Sequence, residues 1–382
     1  MRIALDALPL VSSRMTGIGY CEAGQVQAMM MLHPEEQYVL QFFDKGDGVE
    51  KRKRLYYYEQ QRNVSVRQGH FSGYLYRLMT TAIPLPYRAF FGKDVDITHF
   101  FNYIIPPGVA GKRIVTVHDM VYKTFPETVR GRTRFMLESG LQRSLHRADL
   151  IVTDSEFSKT EIIRYFPATE ERIRVVPCGV DKLRFSPMPP AVEELKRRMH
   201  LQTNYFLYLG TLEPRKNLDR LIRAYALLKQ QHPDAPQLVL AGGYGWRNNH
   251  IYQLVQTLHL EDDVLFTEYV PEEDVQPLLC GAMAFVFPSV YEGFGMPPLE
   301  AMACGTPVLT TRAASLPEVV GDAAVIVDPH HTEDIAQGLE KLFLDAALRE
   351  RLQKEGLRRA AMFSWENAAA ALYDVYQEAL TR

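Results

Sequence analysis

Short apolar runs without polar alternation recur along the chain, and stretches with apolar residues at helical spacing separate them. Residues 284–287 (AFVF) are the clearest such run, and strands are also predicted at residues 2–7, 113–117 and 206–209, which are largely apolar. Runs of this kind are typical of parallel strands that are covered on both faces. Residues 218–228 (LDRLIRAYALL) show the helical spacing instead. The alternation predicts an α/β protein built on parallel sheets.

The chain is too long for one small hydrophobic core. Its 382 residues predict two domains of about 180 residues each. Pro187, Pro189 and Pro190 mark a linker between them. We therefore expect a first Rossmann-like domain at 1–184, a second at 185–362 and a terminal helical segment at 363–382.

Residues 288–311 combine several features of a ligand site. They follow the buried strand predicted at 284–287, and Gly293 and Gly295 supply a permissive turn. Pro297 and Pro298 fit the first turn of a helix, where a missing N–H group costs nothing. A strand, a turn and a helix in this order direct unpaired N–H groups and the positive end of a helix dipole at one edge of the sheet. The turn therefore predicts a site for an anion.

Two acidic residues flank this turn. Glu292 precedes the glycines, and Glu300 lies just inside the predicted helix, with seven residues between the two. A carboxylate accepts hydrogen bonds from both hydroxyls of a vicinal diol, so acids on both sides of an anion site suit a nucleotide sugar. The alternative is that Glu300 is a favourable acid of the first helical turn and Glu292 is a solvated loop residue.

Two cations stand where a helix dipole disfavours them. Arg215 and Lys216 follow the strand predicted at 206–209 and precede the helix that starts at Leu218. Cations near a helix N-terminus are mildly unfavourable unless an anion lies between them. Arg binds phosphate oxygens in a fork geometry and Lys supplies a point charge. The pair therefore predicts a phosphate site, although two solvated cations would give the same sequence.

The motif from Glu292 to Glu300, with Gly293, Phe294 and Gly295 between the acids, resembles the E-x7-E signature of retaining GT-B glycosyltransferases. It is similar to glycosyltransferase family 4, the glycogen-synthase-like group. The resemblance implies two Rossmann-like domains that face each other across a cleft, with the acceptor on the first domain and the donor on the second. It also implies that the last helix crosses back onto the first domain.

The same resemblance assigns roles to individual residues. Glu300 would bind the ribose hydroxyls, Glu292 the hydroxyls of the donor sugar, and Arg215 with Lys216 the diphosphate. The implied donor-binding residues are Gly17, Gly19, Gly242, Gly243, Arg215, Lys216, Glu292, Gly293, Phe294, Gly295 and Glu300. The implied catalytic residues are His118, Glu292, Arg215 and Lys216.

The amino-terminal half contributes a glycine pair and a histidine. Gly17 and Gly19 follow the first predicted strand, in an expected loop before a helix at 21–32. They form a weak dinucleotide fingerprint, because Glu22 occupies the position of the third glycine, and this disfavours a dehydrogenase. His118 lies at the carboxyl end of a predicted strand, where open α/β sheets bind their ligands. Members of the family that this chain resembles have a histidine at the end of this strand, beside the donor sugar.

The implied activity is transfer of a hexose from a nucleoside-diphosphate sugar to a saccharide acceptor, with retention of configuration, in polysaccharide or glycolipid synthesis. The segments TLEPRKN and VHDM resemble those of bacterial polysaccharide mannosyltransferases, so GDP-mannose is the favoured donor, ahead of UDP-glucose and UDP-N-acetylglucosamine. A sugar-nucleotide epimerase or hydrolase on the same fold and a non-catalytic nucleotide-sugar-binding protein remain alternatives. No cofactor and no metal ion are expected.

The net charge of -3 conceals an asymmetry, because residues 1–180 carry +5 and the remainder carries -8. Residues 51–54 (KRKR) and the tyrosines at 56–58 interleave cations with aromatic rings. This composition suits the headgroup level of an anionic membrane or a lipid-linked acceptor. A solvated helix face explains it equally well, whereas nucleic acid is disfavoured.

The cysteines indicate the cellular compartment that the protein occupies. Cys21, Cys178, Cys280 and Cys304 show no metal-site spacing, so we expect buried thiols in a reducing environment. Cys178 begins a segment that resembles the family's interdomain segment, which often has asparagine at this position before the glycine. Met1 leads directly into a predicted strand rather than a signal peptide. The expectation is a cytoplasmic protein with peripheral contact to the inner face of the cell membrane.

Overall fold

The computed structural model describes the chain except for residues 14, 47, 81, 82, 84, 188 and 244–248. The described residues form two compact units. The first unit comprises Met1–Gly179 and Trp365–Arg382, and the second comprises Val180–Ser364. The sequence predicted these boundaries after residues 184 and 362.

The first unit is built on a seven-stranded sheet in the order β3-β2-β1-β4-β5-β6-β7. Its strands are β1 (Arg2–Asp6), β2 (Gln37–Phe43), β3 (Val64–Gly69), β4 (Ile97–Phe100), β5 (Lys112–Thr116), β6 (Leu150–Thr153) and β7 (Ile173–Val175). All described neighbours pair in parallel. Every residue of β4 and β6 is buried, as expected of strands that helices cover on both faces.

Helices connect these strands. They are α1 (Gly17–Leu32), α2 (Val49–Glu59), α3 (Gly73–Met79), α4 (Arg88–Phe91), α5 (Val121–Thr124), α6 (Gly131–Arg147) and α7 (Glu156–Tyr165), with 3-10 turns at Pro126–Thr128 and Pro167–Arg172. Crossover helices are the connection that parallel strands require.

The second unit repeats the plan with a six-stranded sheet in the order β10-β9-β8-β11-β12-β13, again parallel between described neighbours. Its strands are β8 (Tyr205–Leu209), β9 (Gln237–Ala241), β10 (Val264–Glu268), β11 (Ala284–Phe287), β12 (Val308–Thr311) and β13 (Ala324–Val327). Its helices are α8 (Pro189–Arg198), α9 (Leu218–Gln231), α10 (Asn249–Thr257), α11 (Glu272–Cys280), α12 (Met296–Ala303), α13 (Leu316–Val320), α14 (Thr332–Leu344) and α15 (Ala346–Ala360), with a 3-10 turn at Pro214–Lys216. Strand order reverses beside the first strand of each sheet, and open α/β sheets bind ligands at such a point.

The last helix, α16 (Trp365–Thr381), belongs to the first unit and packs there against α1. Gly24 of α1 makes room for it, because a Cβ atom at this position would lie 2.2 Å from the Trp365 ring. Further along α16, the hydroxyl of Tyr376 lies 2.8 Å from Nδ1 of His99 on β4. The helix is therefore an integral layer of the first unit.

Two details of the first unit differ from the sequence prediction. Helix α1 begins at Gly17 rather than at residue 21, so Gly17 and Gly19 lie in its first turn and not in a loop. Thr16, in extended conformation, occupies the N-cap position before them. The prediction also lacked β3, an edge strand in which only two valines alternate with Ser65 and Arg67.

Among the described residues, no helix combines the length and the apolar character needed to cross a membrane.

Candidate active site

The loop after β8 places the two predicted cations in the second unit. Pro214, Arg215 and Lys216 form a single 3-10 turn directly before α9. Asn217 separates the turn from the helix in the left-handed conformation, with φ of 62°. Its buried amide donates to the carbonyls of Pro288, at 3.1 Å, and Pro329, at 2.7 Å. Asn217 thereby fixes the cation turn against the segment that follows β11.

Both cations contact one carboxylate. Arg215 Nη1 lies 2.6 Å from Oε2 of Glu292, and Lys216 Nζ lies 2.6 Å from Oε1 of the same residue. Ser289 donates its hydroxyl to Oε1, also at 2.6 Å. The structure therefore brings three of the predicted site residues together, with Glu292 at their centre.

The electrostatics of this cluster follow from its burial. Glu292 is 8% exposed, and burial alone would raise its pKa. The charges of Arg215 and Lys216 outweigh burial and lower the pKa of Glu292 to about 2. Burial and the neighbouring Arg215 lower the pKa of Lys216, while Glu292 acts in the opposite sense. The three groups form a charged, largely desolvated cluster, and a second carboxylate, that of Glu213, lies 3.2 Å from Nε of Arg215.

Backbone contacts hold the carboxylate in place. The hydroxyl of Ser315 lies 2.8 Å from the carbonyl oxygen of Glu292 and 2.6 Å from that of Phe294. The N–H of Val290 donates to the carbonyl of Arg215 at 2.9 Å. Asn217, Ser289 and Ser315 were not predicted as site residues, because single polar residues beside turns carry no pattern that reveals such contacts.

Helix α12 carries the second acid of the motif. It begins at Met296, with Pro297 and Pro298 in its first turn, as the sequence predicted. Glu300 is partly buried in this helix. Burial raises its pKa to about 7, although Arg184 lowers it. At neutral pH Glu292 is therefore ionised, because Arg215 and Lys216 contact it, whereas Glu300 is near the midpoint of its titration.

The predicted glycines of the second unit serve different purposes. Gly242 has φ of 143°, and a Cβ atom there would lie 2.0 Å from the carbonyl oxygen of Gly210. At Gly243, by contrast, a Cβ atom would meet no other atom within 4 Å. Gly295 has φ of 119° and caps α12. Gly242 is therefore required by the contact between two backbone loops, independently of any ligand.

The turn between the two acids is partly enclosed. Phe294 is buried and packs edge to face against Phe363, with ring centroids 5.8 Å apart. Gly293 precedes it in the same turn and is partly buried. The aromatic side chain therefore anchors the turn, and it is a packing residue in this structure.

His118 lies in the first unit, two residues beyond the end of β5. Its Nδ1 is 2.7 Å from Oδ2 of Asp154, and its Nε2 is 2.8 Å from the carbonyl oxygen of Phe101. Burial would lower the pKa of His118, but Asp154 outweighs it and raises the pKa to about 10. Both ring nitrogens are therefore occupied, and a contact of the ring with a sugar would have to replace one of these bonds.

The first unit also contains a cavity of about 530 Å³ beyond the carboxyl ends of β1 and β2. Its lining combines the apolar side chains of Phe43 and Phe135 with four cations and one acid, Asp44, which lies 3.4 Å from Lys51. The cationic lining residues are Lys45, Lys51, Arg77 and Arg132. The sequence offered no single motif for this cavity, because its residues come from five separate segments.

Comparison with known proteins places the chain in a family. Residues 193–359 match the family described as Glycosyl transferases group 1, and residues 42–184 match the one described as Glycosyltransferase Family 4. The chain is 38% identical over 284 residues to O-antigen chain mannosyltransferase B of Escherichia coli, and the match covers 74% of each chain. It is 32% identical over 267 residues to the serotype-specific mannosyltransferase WbdA of Escherichia coli. That match covers 68% of this chain but 33% of WbdA, so the chain spans about a third of that relative's length.

Solved structures share the architecture. Anabaena Alr3699/HepE in complex with UDP and glucose matches 99% of this chain and 100% of its own, with a TM-score of 0.74 and 18% identity. Sucrose-phosphate synthase from Thermosynechococcus elongatus matches 99% of this chain and 98% of its own, with a TM-score of 0.73 and 21% identity. At these identities the likeness concerns the fold.

Two parallel sheets of this strand order, together with these neighbours, define the GT-B fold. The chain belongs to glycosyltransferase family 4. It is a hexosyltransferase, and the family predicted from the E-x7-E motif is confirmed.

Proposed function

We propose that the chain transfers mannose from GDP-mannose to a saccharide acceptor in polysaccharide synthesis, with retention of anomeric configuration. The sugar is favoured by the relatives, since the two described above are both mannosyltransferases by name. The nucleotide is favoured by the resemblance of the TLEPRKN and VHDM segments to bacterial mannosyltransferases. No metal ion takes part in the proposed reaction.

The observation that carries this proposal is the contact of Arg215 and Lys216 with the same buried carboxylate. Breaking the sugar–phosphate bond builds negative charge on the leaving diphosphate and positive charge on the sugar ring. Two preorganised cations stabilise the first of these charges, and fixed charges in a desolvated site act more strongly than they would in water. Arg215 would hold two phosphate oxygens in its fork, and Lys216 would supply the second charge.

Glu292 has a double role in this proposal. Without donor, its two oxygens hold Arg215 and Lys216 in position. When the diphosphate binds, it takes over part of this pairing, and a Glu292 oxygen becomes able to accept a hydrogen bond from a sugar hydroxyl. The carboxylate would thereby couple donor binding to the position of the cations.

The remaining donor contacts stay predictions. Glu300 would bind the ribose hydroxyls, and the turn at Gly293, Phe294 and Gly295 would border the phosphates. Gly242 and Gly243 would border the nucleotide, and Gly17 and Gly19 would direct the N–H groups of the first turn of α1 at donor or acceptor. His118 would act beside the reacting centre once its Nε2 exchanges the carbonyl of Phe101 for a group of the donor.

The acceptor side of the proposal rests on the cavity of the first unit. Four cations and two phenylalanine rings in one cavity suit a molecule with both phosphate and hydrocarbon. We propose a saccharide that is carried on a lipid phosphate. This acceptor would also bring the first unit to the membrane surface, where lipid-linked saccharides reside.

The experiment is a transfer assay with the purified chain, a lipid-linked saccharide and GDP-mannose, UDP-glucose or UDP-N-acetylglucosamine. The expected product is a mannoside formed from GDP-mannose alone, with the anomeric configuration of the donor by nuclear magnetic resonance. Transfer from a UDP-sugar alone would contradict the donor assignment, and an inverted linkage would contradict the mechanism. Release of free sugar at the same rate without acceptor would contradict transfer itself.

A further inference from the structure

A cluster of four potential metal ligands lies in the interior of the first unit. Three of them lie within three residues of the carboxyl ends of neighbouring strands: His118 after β5, Asp154 after β6 and Cys178 after β7. The fourth, Cys21, lies in α1. The parallel strands and the helix above them thus bring together side chains that are up to 157 residues apart in sequence.

The distances within this cluster are short. The ligand atoms of Cys21, His118 and Asp154 all lie within 4.8 Å of one another. Cys178 lies outside this group of three, but its sulfur lies 3.0 Å from that of Cys21, so its side chain would have to turn toward His118 and Asp154 to bind the same ion. All four residues are at least nine-tenths buried, with exposures between 2% and 7%. Thiolate sulfur, imidazole nitrogen and carboxylate oxygen are each ligand types that tetrahedral zinc sites use.

Two further observations point to a cation at this place. Oδ1 of Asp154 is buried and has no hydrogen-bond partner among the described residues, which is costly for a carboxylate oxygen. Nε2 of His118 lies 2.8 Å from the carbonyl oxygen of Phe101. Metal-binding histidines commonly use the second ring nitrogen in this way, because such a bond fixes the tautomer and the ring orientation.

We propose that Cys21, Cys178, His118 and Asp154 form a binding site for one Zn²⁺ ion. The ion takes the place of the proton between Nδ1 of His118 and Asp154, and the two thiol protons leave as the thiolates bind. With Zn–S bonds of about 2.3 Å, two sulfurs of a tetrahedral site lie about 3.8 Å apart. The two sulfurs therefore separate by less than about 1 Å on binding, which side-chain rotation permits.

The bound ion would link helix α1 to the segment after β7, two parts of the first unit that the sheet does not connect. Cys21 lies in α1, just after Gly17 and Gly19, and Cys178 precedes the last residue of this part of the first unit. The bound ion would fix the start of α1 relative to the segment by which the chain leaves the unit.

The test is metal analysis of the tag-free chain, purified under reducing conditions and loaded with Zn²⁺ or Co²⁺. The expected result is about one tightly bound ion per chain. Co²⁺ should give the charge-transfer absorption of thiolate ligands and the visible bands of a tetrahedral ion. In Cys178→Ser and Asp154→Asn we expect affinity to fall by about tenfold or more, with the fold checked by circular dichroism.

The matched control is Cys280→Ser in the second unit. Cys280 lies near Cys304, but neither belongs to a group of three potential ligands among the described residues. Metal binding should therefore be unchanged in this variant. The proposal is overturned if the reduced wild-type chain retains no ion, or if Asp154→Asn binds Co²⁺ like the wild type. It is equally overturned if thiol titration of the untreated protein finds Cys21 and Cys178 joined as a disulfide.

Discussion

Arg215 is the residue on which the proposed chemistry depends most directly. It contacts Glu292 at 2.6 Å and also lies 3.2 Å from Oε2 of Glu213 through its Nε. A guanidinium between two carboxylates keeps its charge and a fixed orientation, which a diphosphate can use in the transition state. The local sequence placed this cation at a helix start, but it could not reveal the pairing with an acid 77 residues away.

Replacing Arg215 tests its contribution to the leaving group. Arg215→Ala should lower kcat by about 10²- to 10³-fold, the range for loss of one preorganised charge donor. Arg215→Lys should recover part of the rate, because it restores the charge without the fork. The exposed Arg223 of α9 supplies the control, since Arg223→Ala removes a cation of the same unit. Near-normal turnover of Arg215→Ala would remove this residue from the mechanism.

Glu300 makes nucleotide binding sensitive to pH. Burial raises its pKa to about 7, so the carboxylate becomes ionised as pH rises through neutrality. Only the ionised form accepts hydrogen bonds from both ribose hydroxyls. The affinity for GDP should therefore increase by about tenfold between about pH 6 and about pH 8, as measured by titration calorimetry.

Glu300→Gln serves as the matched control for this pH profile. The variant should bind GDP more weakly at pH 8 by about 1.5–3 kcal/mol, the value of a hydrogen bond to a charged group. It should also lose the tenfold rise, while the titration of the GDP phosphate itself is retained in both proteins. An identical pH profile in the variant would show that Glu300 does not contact the nucleotide.

At the scale of elements, the loops after β8 and β9 depend on each other through two glycines. The carbonyl oxygen of Gly210 occupies the space that a Cβ atom of residue 242 would need. The N–H of Gly210 donates to the carbonyl of Ala241 at 2.9 Å. Gly242→Ala should destabilise the second unit by about 1–3 kcal/mol, because φ of 143° and the close carbonyl both exclude a side chain. The measurement is the midpoint of urea or thermal unfolding.

The neighbouring Gly243 provides the comparison. A Cβ atom there meets nothing within 4 Å, so Gly243→Ala should change stability by less than about 0.5 kcal/mol. Any loss of activity in this variant would then reflect a contact of the added methyl group with the bound nucleotide, as expected of a glycine that borders the nucleotide. Equal destabilisation by both substitutions would contradict the distinction between them.

Local periodicity explains which elements the sequence could predict. The unit of β11, turn and α12 was predictable, since an apolar run, two glycines and two prolines follow one another without interruption. The edge strand β3 was missed because only Val64 and Val66 alternate with polar residues, and two apolar positions are too few to establish a period of two. The first turn of α1 was also missed, because two glycines favour a loop unless tertiary contacts decide otherwise.

The contacts in the candidate sites that the sequence could not predict are those between residues far apart in the chain. Cys21 and Cys178 showed no metal spacing in sequence, yet their sulfurs lie 3.0 Å apart. Glu292, Arg215 and Lys216 were each identified, but their mutual contacts depend on the neighbouring positions of β8 and β11 in the sheet. The local sequence pattern predicts which residue types lie at the edge of a sheet. Which of these side chains contact each other depends on the order of the strands in the sheet.

At the scale of the whole molecule, the basic character of the first half bears on its surroundings. Residues 1–180 carry +5 and the remainder -8, and α2 holds four consecutive cations. Each of these cations already has a protein partner: Lys51 contacts Asp44, Arg52 contacts Glu59, Lys53 contacts Glu50, and Arg54 donates to the carbonyl of Val11. The ion pairs of Arg52 and Lys53 are exposed and contribute little stability, so lipid phosphates can replace Glu59 and Glu50 at small cost.

We predict that α2 contributes to peripheral membrane contact through its most exposed cations and the tyrosines beside them. Tyr56 and Tyr57 are 64% and 54% exposed, which suits rings at the headgroup level. Replacing Arg52 and Lys53 with Gln should weaken association with anionic liposomes by about thirtyfold, from about 1 kcal/mol for each cation near the surface. Cosedimentation at fixed ionic strength measures the change.

The control replaces an exposed pair of cations in the other unit, Arg351 and Lys354 of α15, with Gln. This variant has the same net charge as the α2 variant, so a general electrostatic effect would weaken both equally. A specific contact through α2 weakens only the first. If the wild-type chain does not associate with anionic liposomes at all, α2 is a solvated helix face, and the lipid-linked acceptor must reach the cavity of the first unit without help from the membrane surface.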